Sequence, residues 1–505
     1  MEKIKVIFNW MKKNPLEFWI LAAILLVAAF FRFYKIDQYM TFLGDEGRDV
    51  IIVRRLLTEG HPPLIGPGTS IGSMYLGPLY YYMMAPALLL ANFSPVGPAI
   101  QIALLGIITI AFVWWIGREW FGRTAGLIAA GLYAISPTVI VYSRSSWNPN
   151  IMPFFALLSV YSIWKAWKDR KFNWLIVLGI SYAFVLQSHY LGLLLAPTLF
   201  TIWLIIYFRA KKSASYKVFV RRSLAGAALF LLLMSPLLIF DMRHNWINSQ
   251  AIYKFFTVRQ ETVSIRPWNA IPKFPELLEQ INLSLIAGKN NLLAAAVSIA
   301  IGVWALYLIL KRKALGPDLI LLLWLSFALI GFGVYKQHVY DHYFGFIFAT
   351  PFLIIGSVLS AFIKRGGVAK ILSAIAILIL VVFNLKENPI KYTPNNQLRR
   401  ASNVAGKIEQ ESGGQSFNLA VLAERNYPDG YKYFLLKNRD KIVDIDAQKP
   451  ETITDQLFVV CELEPAKCDP THSPKAEVAN FGWSEIVNQW TVDGITLYKM
   501  EHTKK

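Results

Sequence analysis

The first residues able to do chemistry form one short run, Gly44-Asp45-Glu46-Gly47-Arg48-Asp49. Adjacent carboxylates serve in one of two ways. One acts as a general base toward a hydroxyl or amine once burial tunes its pKa, or two together hold a divalent cation. The competing structural reading is a solvated loop in which Asp45 caps a helix that starts near Glu46. A second run, Tyr142-Ser143-Arg144-Ser145-Ser146-Trp147-Asn148-Pro149, carries an Arg whose planar fork suits a phosphate; snorkelling at a helix end is the plainer use of Arg. A third is Gln187-Ser188-His189-Tyr190 and a fourth His338-Val339-Tyr340-Asp341-His342-Tyr343. Their histidines contact phosphate or sugar, or serve as interfacial hydrogen-bonders. No HExxH-type spacing supports a metal site.

The elements that must position these runs are apolar. The chain has 505 residues and is 55% hydrophobic, above the ~45–50% of ordinary soluble domains. Its mean hydropathy is +0.42. Blocks near the ~20 residues that cross a bilayer recur. We place spans at roughly 15–34, 97–116, 124–142, 152–164, 174–190, 191–208, 223–240, 291–310, 317–334, 347–363 and 370–386. The block 76–92 reads as a helix lying in or near the interface. Met1–Lys13 is basic and no small-residue cleavage site follows the first apolar block, so that block is expected to stay as a helix.

Charge sets the orientation. With the N-terminus inside, the cytoplasmic loops hold about 22 of the 51 Lys and Arg but only about five of the 32 acids. Nearly all of the +19 net charge is then positive-inside bias, and the case for nucleic acid as a partner lapses. Under this orientation all four runs lie on the outer face of an inner, multi-pass cell membrane. Polar groups at a lipid boundary are costly unless they pair or meet a water-filled cavity, so one shared outward cavity is expected. Three segments emerge outside: 35–96, 241–290 and the tail 387–505. The tail has strand-like runs at Asn418–Leu422, Gln456–Glu462 and Gly494–Tyr498 and reads as a small α/β domain. Cys461 and Cys468 lie in it, either paired or as two free thiols.

The series of motifs resembles the polytopic GT-C glycosyltransferases of the protein O-mannosyltransferase and aminoarabinose-transferase type. It runs from the basic N-terminus through Asp45-Glu46 to Gly77-Pro78-Leu79-Tyr80-Tyr81-Tyr82. Arg118, Phe121-Gly122-Arg123, Ser136-Pro137, Ser143-Arg144 and His342-Tyr343 with Pro351 follow in order. The similarity covers about residues 1–360. It implies an all-α polytopic GT-C fold, with about 11 transmembrane helices and juxtamembrane helices in the first outer loop. Residues 1–386 would form this catalytic domain and 387–505 a small extracytoplasmic α/β domain.

It also implies an activity. A sugar passes, with inversion, from a polyprenyl-phosphate donor to an extracytoplasmic acceptor: a protein hydroxyl, a glycan or a lipid. Asp45 falls on the family's catalytic base, with Glu46 orienting the acceptor or supporting Asp45. Arg144, His342, Tyr343, His189, Tyr190 and Lys336 are the expected partners of the leaving phosphate and sugar. Asn148, Arg48 and Tyr75 are expected on the acceptor side or the pocket wall. No cofactor is required, and a divalent cation stays open. Two departures stand out. Asn148-Pro149 replaces the Asp-Pro of related mannosyltransferases, and His342 stands where many relatives place Arg.

The main rival class is a transporter or flippase of a lipid-linked or cell-wall substrate. That class needs ionisable residues near the bilayer midplane, and the spans here carry almost no charge at their centres. A wall-binding scaffold is a further alternative, in which Asp45 would be dispensable.

Overall fold

The computed structural model describes residues 9–70, 74–257, 263–264 and 266–503. Most of the basic N-terminal segment, residues 1–8, lies outside the described residues. A helix forms at each of the 11 places the apolar pattern marks. Among the described residues seven are long and apolar enough to cross a membrane, or eight if the bent pair Asp341–Ile347 and Ala349–Arg365 is one span. Arg123–Ile135 and Trp174–Ser188 are shorter. The third expected span is interrupted at Ser136-Pro137. There the ring of Pro137 opens a new short helix, Pro137–Val141, because proline fits a first helical position but not an interior one. Ser136 Oγ donates to the carbonyl of Leu285 at 2.5 Å and Thr138 Oγ1 to that of Ser284 at 2.6 Å, which fastens the break to a neighbouring helix.

The block 76–92 forms a helix over Leu79–Leu90 only. Twelve residues rise about 18 Å, short of the ~30 Å hydrocarbon core, so it cannot cross. We refer to it as the tyrosine helix. The acidic run opens another helix, Gly44–Glu59, here the acidic helix.

Arg118 and Arg123 are accounted for structurally. Glu17, buried near the start of the first span, accepts from Arg118 Nε at 2.7 Å and from Trp114 Nε1 at 3.2 Å, with Arg123 at 3.6 Å. This clamp ties the first two spans together away from the acidic run.

The tail is a four-stranded sheet in the order β1-β2-β4-β3. β1 (Asn418–Leu422) pairs parallel with β2 (Gln456–Cys461). β4 (Ile495–His502) pairs antiparallel with both β2 and β3 (Ser484–Val492). Cys461 and Cys468 form a disulfide. The tail is not a detached module. One buried core runs from Phe42 and Val50 through Tyr80 and Tyr81 to Val404, Tyr433 and Leu497, joining the first loop to the tail.

Candidate functional site

The acidic helix begins two residues earlier than the sequence suggests. Leu43 is its N-cap and Gly44 its first residue, so Asp45 sits in the first turn rather than at the cap. Glu46 does the local structural work. Its Oε2 accepts from the Leu43 backbone N–H at 3.0 Å, which satisfies one of the helix's unpaired donors. Glu46 is buried, and its carboxylate is spent on the start of the helix. Burial pushes its carboxyl up to about 7.

Asp45 stays substantially open, with 43% of its side chain exposed. Its Oδ1 meets Arg48 Nη1 at 2.8 Å. Arg48 also donates through Nη2 to Asp49 Oδ1 at 2.7 Å and through Nε at 3.0 Å. One guanidinium therefore bridges the two carboxylates. Burial by itself would lower the Arg48 pKa, yet Asp49, Tyr81 and Asp45 hold it above its ordinary value. Arg48 is a fixed cation holding Asp45. Among the described residues no group of three or more His, Cys, Asp or Glu side chains gathers that could hold a metal ion.

Asp49 is the residue sequence reasoning passed over. It is fully buried, Tyr81 Oη donates to its Oδ1 at 3.2 Å, and its Oδ2 has no partner. Burial pushes it up to about 6, against the pull of Arg48. Its signal was available: Asp45 and Asp49 are four apart, hence on one helix face, with Arg48 between them.

The tyrosine helix carries the site from the acids to the second and third runs. Tyr81 touches Asp49, and Tyr80 Oη pairs with Ser146 Oγ at 2.6 Å. Leu79 N donates to Gln187 Oε1 at 3.3 Å. Leu79 and Tyr81 are two residues apart, about 3 Å of helix rise, so the acids and Gln187 flank one turn. Gly77 explains why the turn sits so close: a Cβ there would lie 2.0 Å from Gln187 Oε1.

His189, Tyr190, His342 and Tyr343 do come together. Ring centroids lie 4.4 Å apart for His189–Tyr190, 4.7 Å for His189–Tyr343, and 5.7 Å for His189–His342. Trp147 closes one side at 4.6 Å from His342. Tyr190 Oη pairs with Tyr335 Oη at 3.2 Å and Ser70 Oγ at 3.4 Å. His189 Nδ1 accepts from the Leu191 backbone N–H at 3.2 Å. A nitrogen that accepts carries no proton, so His189 is neutral and presents Nε2–H. Lys336 is exposed next to Tyr335.

An apolar groove of about 190 Å³ reaches Tyr190 of this cluster. Leu186, Leu193, Met234, Leu237 and Ile252 wall it, and Tyr190, Gln187, Asn248 and Tyr75 stand at its polar head. Tyr75 lies where expected, its backbone N–H donating to Asn248 Oδ1 at 2.7 Å. Met234 and Leu237 belong to the helix Tyr216–Arg243, whose apolar stretch is almost wholly unburied by protein. The groove therefore borders the surface that faces lipid.

Two expected residues stand elsewhere. Asn148 is buried and spends its Nδ2 on the Ser188 carbonyl at 2.6 Å, a tie between segments. Arg144 forms no ion pair with Asp45. It donates to the Tyr34 carbonyl at 2.6 Å and stacks over Tyr39 at 4.7 Å. Its Nε and Nη1 are buried without partners, as are Nε and Nη2 of Arg32. Arg32 was invisible in sequence, because an Arg at the end of an apolar run reads as snorkelling.

The raised Glu46 value has a measurable consequence. The folded state holds this proton more tightly than an unfolded Glu, so it binds more protons between about pH 4.5 and 7. The stability Glu46 lends is complete at acid pH and lost as pH rises through 7. Glu46→Gln keeps an oxygen for Leu43 and removes the charge. It should raise stability by about 3 kcal/mol at pH 8 and change little at pH 4.5. Melting curves at the two pH values check this; equal shifts at both would refute it.

Residues 76–240 match the family model described as dolichyl-phosphate-mannose-protein mannosyltransferase. No curated protein sequence matches the chain. Among solved structures, ArnT from Cupriavidus metallidurans bound to undecaprenyl phosphate is similar with a TM-score of 0.59 and 12% identity, over 96% of this chain and 98% of that one. AglB from Archaeoglobus fulgidus, an archaeal oligosaccharyltransferase in complex with an inhibitory peptide and a dolichol-phosphate, is similar with a TM-score of 0.57 and 13% identity, over 89% of this chain and 70% of that one. At such identities the likeness establishes the fold, which is GT-C.

Proposed function

On the premise of the GT-C fold, we propose that the chain is a membrane glycosyltransferase that takes a sugar from a polyprenyl-phosphate donor and places it on an acceptor hydroxyl or amine at the outer face. The observation that carries this reading is the apolar groove that reaches Tyr190 and Gln187, with Gln187 tied to the helix turn on which Tyr81 meets Asp49, the carboxylate that Arg48 bridges to the exposed Asp45. A polyprenyl tail needs a wall of that kind open to lipid, and its phosphate needs donors at the end. The match of residues 76–240 and the ligands named with ArnT and AglB support the same donor class.

The residues divide the chemistry. Asp45 takes the acceptor's proton as the acceptor oxygen or nitrogen bonds to the anomeric carbon. The bond from that carbon to the phosphate oxygen breaks, and the phosphate leaves with the electron pair. Attack opposite the leaving group inverts the centre. Arg48 keeps Asp45 aimed, and Asp49 with Tyr81 holds Arg48. Tyr190, Tyr343, His342 and the Nε2–H of His189 donate to the phosphate as its charge grows. Lys336 adds positive charge at the rim. The unspent donors of Arg144 and Arg32 serve the same charge from further off. A transporter finds no such support, since the described clusters lie at helix ends rather than at midspan.

Filling the groove tests the donor. Leu237→Trp should raise the KM for a long-chain polyprenyl-phosphate sugar by ~10-fold or more, a loss of about 1.4 kcal/mol of tail contact. Turnover of a short-chain, water-dispersed analogue should stay within about twofold. Equal effects on both substrates would remove the groove from donor binding.

A further inference from the structure

A second cavity lies at the opposite end of the molecule from the histidine–tyrosine cluster. The helix Met152–Lys168 starts beside Asn148 and runs 17 residues, about 25 Å, to reach it. The cavity measures about 370 Å³, within the range of small-ligand pockets, ~300–1,000 Å³. Lys168, Arg170 and Arg209 stand around it, and no carboxylate lines it. The nearby Asp169 is engaged by Lys165, which also meets Glu119 at 2.9 Å. The cavity is thus lined by three cations and no neutralising acid.

Its wall adds donors that lack acceptors. Trp164 and Trp167 line it, and the indole N–H of each is buried without a hydrogen-bond partner. A buried donor left unpaired is costly. Arg209 is held over the Trp167 ring at 5.6 Å, which fixes the guanidinium at the rim. Ser213 and Ser215 contribute hydroxyls 2.7 Å from each other. A positive-inside charge bias explains Lys and Arg in these loops. It does not explain a hollow between helices or two indoles lacking acceptors.

We propose that this cavity binds the phosphate headgroup of an anionic membrane lipid. The phosphate oxygens are the missing acceptors for the two indoles, and the three cations balance its charge. The apolar part of the lipid has somewhere to go: Phe208 and Leu315 beside the cavity are exposed, as lipid-facing side chains are. Basic pockets between helices at one membrane face are a recurrent form of lipid recognition.

The test uses the full chain purified in detergent, with native mass spectrometry and melting temperature as readouts. Short-chain phosphatidylglycerol is the probe, phosphatidylcholine of equal chain length the charge control, and inorganic phosphate the free-ion control. Phosphatidylglycerol should bind at least ~10-fold more tightly than phosphatidylcholine and raise the melting temperature. The double variant Arg170→Gln, Arg209→Gln changes only exposed positions and should cut that affinity by ~10-fold or more. Trp164→Phe keeps the ring and removes the N–H, and should cut it by about fivefold. Equal binding of the two lipids, or unchanged binding by the double variant, overturns the proposal. So does full displacement by millimolar inorganic phosphate, which would make this a site for a soluble ion.

Discussion

Asp45→Asn should lower sugar transfer by at least ~100-fold, the scale of a lost general base, while donor affinity stays within about twofold. The reasoning is local. Asp45 is the exposed carboxylate of the motif, 2.8 Å from a guanidinium that Asp49 anchors in the interior. Asparagine keeps the size and a carbonyl for Arg48 but cannot accept a proton. Fold and groove are untouched, so the defect falls on kcat rather than on KM for the donor. Single-turnover measurements with purified protein and a panel of polyprenyl-phosphate sugars read both quantities. Asp49→Asn is the informative companion. It loosens Arg48 without removing the base, so its loss should be smaller. Undiminished turnover by Asp45→Asn would falsify the assignment of the base.

Gly47→Ala should unseat the tail domain from the acidic helix. A Cβ at Gly47 would lie 2.3 Å from the backbone of Asp429 and Gly430. Backbone cannot move aside as a flexible side chain can, so the two elements must separate or shift. Gly44 makes a similar approach, its Cβ position 2.6 Å from Tyr427 Cβ, and its backbone N–H donates to Asn426 Oδ1 at 2.9 Å. Overpacking of this sort costs ~1–3 kcal/mol and sometimes more, and here it acts on the helix that carries the base. We expect a lower melting temperature, faster proteolysis of the tail and turnover reduced by about tenfold or more. Gly302→Ala is the control. It lies mid-helix with nothing within 4 Å of the added atom and should be neutral or slightly stabilising. A Gly47→Ala protein with unchanged melting and proteolysis would show that the tail does not depend on this contact.

The glycine contacts also bear on acceptor selection. The tail holds the first loop at several points besides Gly44 and Gly47. Gln397 Oε1 accepts from Phe42 N at 3.0 Å, and Asn396 N donates to the Gln38 carbonyl at 2.9 Å. Tyr433 donates to the Phe93 carbonyl. Removing residues 390–505 therefore strips the support of the acidic helix, and loss of activity on such a deletion says nothing of acceptor choice. Point changes at the tail surface, such as Trp483→Ala at a solvent-facing side chain, separate the two roles.

The membrane architecture was legible from composition because its cause is local. A run of apolar side chains must leave water, and a backbone in lipid must bond to itself, so Asn291–Leu310 or Gly367–Lys386 has one available structure. Two tail strands were legible for the same reason: β1 and β2 are buried along their whole length. β3 was missed because it is an exposed edge strand with no apolar alternation, made by pairing with β4 alone. The chemistry-bearing runs were visible as residue types, and His189, Tyr190, His342 and Tyr343 do meet.

What each acid and each Arg does was decided by neighbours distant in sequence. Asp45 and Glu46 are adjacent and chemically alike, yet one faces out on Arg48 and the other is sealed under Leu43. Arg144 turned to Tyr34 and Tyr39, Asn148 to Ser188, and Arg118 to Glu17. Gly47 reads as a flexible residue until Asp429 arrives against it from nearly 400 residues away. Periodicity and hydropathy are properties of a segment, so the sequence carries them openly. Burial, partner and direction of a polar side chain depend on which segments pack together, and only the tertiary structure settles that.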